Sequence, residues 1–265
     1  IFEGPDSDLK KTINSQPAIM TVSIAALEAV KEFYDGEEIR PIAFAGHSLG
    51  EYTSLVASGV LSLEDGIRLV RERGRLMQLA SDSQPGGMAA ILGLDEISLE
   101  EVCQESGAEI ANINTDDQIV ISGDRICLAR AMDLASARGA RKTIRLAVAG
   151  AFHSHLMQSA SDGLAKVISG ITFSPPNGPI IANSTAEQIT TPEEIKNELM
   201  SQLCSCVQWK RSIRSMSDMG VTTFIEFGPG KVLNGLVKRI TRRAETINVL
   251  DLSSARALAE QQSVR

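Results

Sequence analysis

PIAFAGHSLGEYTSLVASG, residues 41–59, is the stretch on which the fold turns. A short apolar run at 41–46 leads into Gly46-His47-Ser48-Leu49-Gly50, and Ser48 opens a helix that ends near Gly59. Strand, sharp turn and helix in direct succession form the unit of an α/β fold. G-x-S-x-G in that setting is the pattern of a nucleophile elbow, in which the turn lifts a serine above the strand end. Gly46 and Gly50 are expected to keep side chains out of the crowded turn. The helix behind offers unpaired N–H groups and the positive end of its dipole to a developing oxyanion. A plain turn serine is the competing reading, and the strand-turn-helix context favours the nucleophile.

Upstream, residues 16–34 space their apolar positions as a buried helix, with Pro17 placed in its first turn. Downstream, a helix at about 63–80 carries Arg68, Arg71, Arg73 and Arg75, read as an arginine-rich face. The middle of the chain then changes character. GMAAILGL (87–94), EIANIN (109–114), QIVISGD (118–124) and RKTIRLAV (141–148) read as strands. SLEEVCQESG and CLARAMDLASARG read as the helices between them. That order, β-α-β-β-α-β, is the ferredoxin-like unit, and it begins after the Ser/Pro/Gly-rich loop SDSQPGG. The expected architecture is therefore α/β, with residues 1–81 and 151–265 forming a large domain into which a small subdomain at 82–150 is inserted. The large domain resumes with a helix after His153 and with strands at 178–184 and 222–228. A helix after GPGK and a last strand at TINVLDL follow.

A nucleophilic serine needs a base, and the chain has three histidines: His47, His153 and His155. His47 adjoins the serine, so its ring is expected to point away into a local hydrogen bond. His153 or His155, in VAGAFHSHLM, can be returned to the site by a strand-to-helix loop. H-x-H also evokes a metal site, but no third ligand sits nearby. An acid to orient the histidine is not evident, because Asp116, Asp117 and Asp124 fall within the small unit. A dyad oriented by a neutral carbonyl is then the expectation. One arginine of the 63–80 helix could face the pocket and hold a carboxylate through two parallel hydrogen bonds; a solvated helix face is the ordinary fate of the others.

Composition narrows the classes. In 265 residues, 43% are hydrophobic and 22% charged, with a net charge of −7, so no basic excess exists to displace counterions from nucleic acid. The basic cluster Lys238, Arg239, Arg242 and Arg243 reads as a solvated helix end. The four cysteines, Cys103, Cys127, Cys204 and Cys206, are expected to be free thiols in a reducing cytoplasm. No apolar run reaches the roughly 18–20 residues of a membrane span. The chain starts at Ile1 rather than Met, so the absence of a targeting segment carries little weight.

Taken together these residues resemble the malonyl-CoA:acyl carrier protein transacylase family, which includes the acyltransferase domains of fatty acid and polyketide synthases. The resemblance runs from about residue 16 to 240 through QPAI (16–19), GHSLGEYTSLVASG (46–59), VRERGRLMQ (70–78), GMAAILGL (87–94), GAFHSHLM (150–157), QLCSCVQW (202–209) and EFGPGKVLNGL (226–236). It implies a hydrolase-like three-layer core with a parallel sheet, plus the ferredoxin-like subdomain. It implies that Ser48 is acylated, that His153 is its base with His155 a loop neighbour, and that the Gln202 backbone carbonyl orients the histidine. Leu49 would supply an oxyanion N–H and Arg73 would pair with the malonyl carboxylate, while Met77 and Asn183 would line the pocket. Ala151-Phe152-His153-Ser154 resembles malonyl-selective members, with Phe152 filling the space of an α-methyl group.

The implied reaction transfers malonyl from malonyl-CoA to the phosphopantetheine thiol of acyl carrier protein, in service of fatty acid synthesis. No bound cofactor, metal, nucleic acid or membrane partner is implied, and a cytoplasmic location is. The family begins with a strand ending in a G-Q-G-S-Q-like turn whose glutamine N–H is the second oxyanion donor. No such sequence occurs here, so the expectation is a chain that has lost its N-terminal end. Two rivals remain: a serine thioesterase or esterase of the α/β-hydrolase type, which wants an acid between serine and histidine after a main-sheet strand, and a fragment that only docks carrier protein.

Overall fold

The computed structural model describes residues 1–33 and 40–262. Its elements, in chain order, begin with α1 (Asp6–Leu9), α2 (Thr12–Phe33), α3 (Leu49–Ala57) and α4 (Leu63–Ser83). Next come β1 (Gly86–Leu92), α5 (Glu96–Ser106), β2 (Glu109–Thr115), β3 (Gln118–Asp124), α6 (Arg125–Ala137) and β4 (Lys142–Arg145). A single 3₁₀ turn (His155–Met157) leads into α7 (Gln158–Ile168), β5 (Ile180–Ile181), β6 (Gln188–Ile189), α8 (Pro192–Gln202) and α9 (Trp209–Asp218). The chain continues through β7 (Thr223–Phe227), α10 (Val232–Ile240), β8 (Glu245–Val249) and α11 (Leu252–Gln262).

The middle of the chain forms a four-stranded antiparallel sheet of order β2-β3-β1-β4. Alternation decides its two faces. Ala89, Ile91, Ile113, Ile119 and Ile121 pack with Leu99, Val102, Leu128 and Ala131 of α5 and α6. Met88, Ala90, Ala111 and Val120 point the other way, against Leu146 and Phe152. Asp95 and Asp124 fix where the two helices start, each accepting backbone N–H groups of the first turn.

A separate core lies among α2, α3, α4, α7 and α8, built on Met20, Tyr52, Leu55, Leu69, Met77, Met157 and Leu164. Gly74 lets α4 run close over the start of α2, since a Cβ there would meet Thr12 O at 2.6 Å and Ile13 Cα at 2.8 Å. Parallel pairing appears in β7 with β8 and in the bridge between Phe44 and Ile180.

Three expectations are corrected. Pro17 lies in the interior of α2, which begins at Thr12, so it removes a ladder hydrogen bond instead of sitting at an unpaired first-turn position. The last residue expected in that helix, 34, lies outside the described residues. The run 41–46 forms one bridge rather than a strand, and the strand read at 178–184 shrinks to Ile180–Ile181, because Phe44 makes its two ladder bonds only to Pro179 and Ile181. The arginines of α4 do not share a face: Arg68, Arg71 and Arg75 are exposed, whereas Arg73 is 1% exposed.

Candidate active site

Ser48 caps α3 at φ 53°, ψ −101°, a conformation L-residues rarely adopt. Gly46 permits it, since a Cβ there would lie 1.9 Å from the Gly50 carbonyl carbon. Gly50 does not play the matching part expected of it: a Cβ on Gly50 would meet nothing within 4 Å. Leu49 is the first residue of α3, so its backbone N–H has no intrahelical partner and stands beside the serine.

His153 is 4% exposed, and its Nε2 lies 2.8 Å from Ser48 Oγ. Its Nδ1 lies 3.0 Å from the Gln202 carbonyl oxygen. A carbonyl can only accept, so Nδ1 carries the proton and Nε2 is left as the acceptor facing the serine hydroxyl. Burial, and after it the positive charge of Arg73, lowers the His153 pKa to about 3, which leaves the imidazole neutral at ordinary pH. His155 turns outward, where its backbone N–H and its ring both engage Glu109 of β2. His47 makes a long-range contact rather than a local one: its Nε2 meets Asn114 Oδ1 at 2.9 Å.

None of the three aspartates orients the base. Asp116 pairs with Lys210 and Arg214, Asp117 with Arg141, and Asp124 caps α6.

Arg73 enters the same centre from α4. Nη2 donates to Ser48 Oγ at 3.1 Å and to Gln202 Oε1 at 3.0 Å, and Nη1 donates to Gln16 Oε1 at 2.8 Å. The guanidinium sits 4.9 Å from the Tyr52 ring centroid. Its hydrogen-bond partners are all neutral, and its Nε has none. A buried cation held only by neutral groups is a strong attractor for an anion of matching shape. Met77, 2% exposed, borders this cation through Gln16, whose Nε2 lies 3.3 Å from Met77 Sδ.

Asn183, expected on the pocket wall, has both ends of its amide committed to the elbow. Its Oδ1 accepts from Ser48 N–H at 2.7 Å and its Nδ2 donates to Gly46 O at 2.7 Å. Sequence reading also missed the side chain of Gln202, whose Nε2 donates to Ser48 O at 2.9 Å and to Glu51 Oε2 at 2.5 Å. Gln16 and Glu51 were missed as well. The signal available for both was a polar residue falling on the buried side of an apolar helix pattern.

No group of His, Cys, Asp and Glu among the described residues could hold a metal ion. No helix among them is long and apolar enough to cross a membrane.

The family model described as "Acyl transferase domain" matches residues 1–259. The malonyl CoA-acyl carrier protein transacylase of Bacillus subtilis (strain 168) is 45% identical over 256 residues, covering 95% of this chain and 80% of the relative. An acyl-carrier-protein S-malonyltransferase from Bartonella henselae superposes with a TM-score of 0.94 at 38% identity, covering 99% of this chain and 85% of that one. A malonyl-transacylase solved in complex with its type II PKS acyl-carrier protein superposes with a TM-score of 0.93 at 37% identity, covering 98% and 84%.

Proposed function

This chain belongs to the acyl transferase domain family, and on that premise we propose that it carries malonyl from malonyl-CoA to acyl carrier protein through an ester on Ser48. The observation that carries the malonyl reading is Arg73: a buried guanidinium 3.1 Å from the nucleophile, with no carboxylate bonded to it. A malonyl group brings to the serine both a thioester and a free carboxylate, and the carboxylate matches that cation.

The chemistry runs in two halves. Neutral His153 takes the Ser48 proton at Nε2 as Oγ attacks the thioester carbonyl. The imidazolium so formed is supported by the Gln202 carbonyl at Nδ1. The oxyanion faces the Leu49 N–H at the start of α3, where the helix dipole adds to the donor. Collapse expels the CoA thiolate, which takes its proton from His153. The carrier's phosphopantetheine thiol then gives a proton to His153 and attacks the malonyl ester; collapse releases Ser48 Oγ, which takes that proton back and restores the serine hydroxyl and the neutral imidazole. Pairing of Arg73 with the substrate carboxylate offsets the second cause of the low His153 pKa, so the correct substrate strengthens its own base.

Phe152 is half-buried beside the site and packs against both neighbouring cores, which supports its expected role of restricting the space at the malonyl α-carbon. Separate cores for the middle segment and for the flanking helices support the division at about 82–150.

A hydrolase of the esterase type is less well supported, since the base is oriented by a carbonyl and not by an acid. The discriminating experiment follows malonyl-CoA consumption with and without holo acyl carrier protein. Carrier-dependent formation of malonyl-carrier is expected. Rapid release of free malonate without carrier would show a hydrolase, and no turnover with either would leave a docking role.

A further inference from the structure

Beneath the serine lies a carboxyl group that the reaction does not use. Glu51, two residues into α3 and fully buried, has no basic side chain bonded to it; burial, and after it the neighbouring Glu198, push its pKa well above the usual carboxylate range, and Arg73 acts on it only through space. Burying a carboxyl this way is expensive, and an aliphatic side chain would fill the same place without that cost. Its two oxygens face two donors. Oε1 accepts the backbone N–H of Asn183 at 2.9 Å, and Oε2 accepts Nε2 of Gln202 at 2.5 Å.

Each donor belongs to a residue that sets part of the centre. Asn183 clamps both sides of the elbow, at Gly46 O and Ser48 N. Gln202 has two possible amide orientations. A carboxyl acceptor on one side draws Nε2 towards itself, and Oε1 is then left facing Arg73 Nη2 at 3.0 Å. Reversed, the amide would set its NH₂ against the guanidinium and its oxygen against Glu51 and the Ser48 carbonyl. The carboxyl of Glu51 therefore selects the orientation in which the arginine is held beside the serine.

We propose that Glu51 is a positioning residue of this centre, fixing the serine elbow through Asn183 and the carboxylate-binding arginine through the Gln202 amide. The idea rests on the acyl-transfer reading, so its test includes a readout that does not. Glu51→Gln keeps the shape but presents an NH₂ to one of the two donors. Two rates are measured on folded protein, with folding checked by circular dichroism. One is labelling of Ser48 by a fluorophosphonate, which needs no acyl-CoA; the other is Ser48 acylation by malonyl-CoA and by acetyl-CoA.

Fluorophosphonate labelling is expected to slow by about 10- to 100-fold, as when a supporting shell loosens. The malonyl-to-acetyl acylation ratio is expected to fall as Arg73 loses its register, a change that lowered stability alone would not produce. Labelling within twofold of the parent with an unchanged ratio overturns the proposal. Should Glu51→Gln fail to fold, Glu51→Asp is read by the same two rates; failure of both to fold makes Glu51 a folding residue and likewise overturns it. A parent protein that reacts with the fluorophosphonate but not with malonyl-CoA defeats the acyl-transfer reading, and Glu51 is then judged on labelling alone.

Discussion

The two faces of α4 put the same residue type to opposite uses. On the outer face, Arg68 pairs with Glu64 and Arg75 with Glu72, one turn away and in water. On the inner face Arg73, 1% exposed, meets Gln16, Ser48 and Gln202 and no bonded carboxylate. The outer pairs are locally satisfied and screened by solvent, so each adds little to stability. The inner cation is desolvated and bonded to no anion, a state that stability alone would not favour. Identity of side chain says little here; the charge environment separates a solubilising arginine from one placed to receive an anion.

The strongest way to break this contrast is Arg73→Ala. Acylation of Ser48 by malonyl-CoA should fall by about 100- to 1000-fold, the scale of losing one partner of a buried charge pair. Acetyl-CoA, which has no carboxylate, should lose far less; stopped acylation reactions with each substrate check this. Equal losses for the two would mean that Arg73 serves the serine and not the substrate.

The same variant should displace the pH profile of kcat/KM, which reports the free enzyme. With neutral His153 as the proposed base, the rate is expected to fall as pH drops through its pKa. With that pKa at about 3, the parent should show no His153-dependent acid limb between pH 5 and 8. Burial is the larger cause and remains; loss of the Arg73 charge removes the second, so the limb should move to higher pH in Arg73→Ala. The folded-state pKa lies below the ordinary histidine value, so the unfolded chain protonates first, and stability drawn from this site is lost as pH falls from about 6.5 towards 3.

A smaller effect tests the packing that delivers the arginine. Gly74→Ala would drive a Cβ into the backbone of Thr12 and Ile13, and should cost about 1–3 kcal/mol in urea unfolding. Least affected should be Arg75→Ala on the outer face, with an unchanged urea midpoint and an unchanged malonyl rate.

How much was legible in the sequence follows from how local each signal is. Most of the middle segment was read close to its observed bounds, with 118–124 unchanged, because alternation is encoded within each element; the strand read at 141–148 shrinks to Lys142–Arg145. Phe44 and Ile180 were read as strands and became a bridge, since sheet pairing depends on neighbours far along the chain. Ser48, His153, Gln202 and Arg73 were legible through motif order, and contacts of 2.8–3.1 Å link them in a ring: Ser48 to His153, His153 to Gln202, Gln202 to Arg73 and Arg73 back to Ser48. Glu51 was printed inside the very motif that named the serine, yet its meaning depends on Asn183 and Gln202, 132 and 151 residues away. The Gly50 reading failed for a related cause: the motif marks a glycine, and the open space beside it is set by the fold around the turn.

Everything proposed for this centre depends on Ser48 carrying the malonyl group between two thiols. Intact-mass measurement of the protein after brief exposure to malonyl-CoA tests it most directly, with Ser48→Ala alongside and holo acyl carrier protein added second. The expected result is a gain of one malonyl group on the parent, absent from Ser48→Ala and transferred to the carrier on its addition. A parent that gains no malonyl mass, or an adduct that survives in Ser48→Ala, would contradict the account.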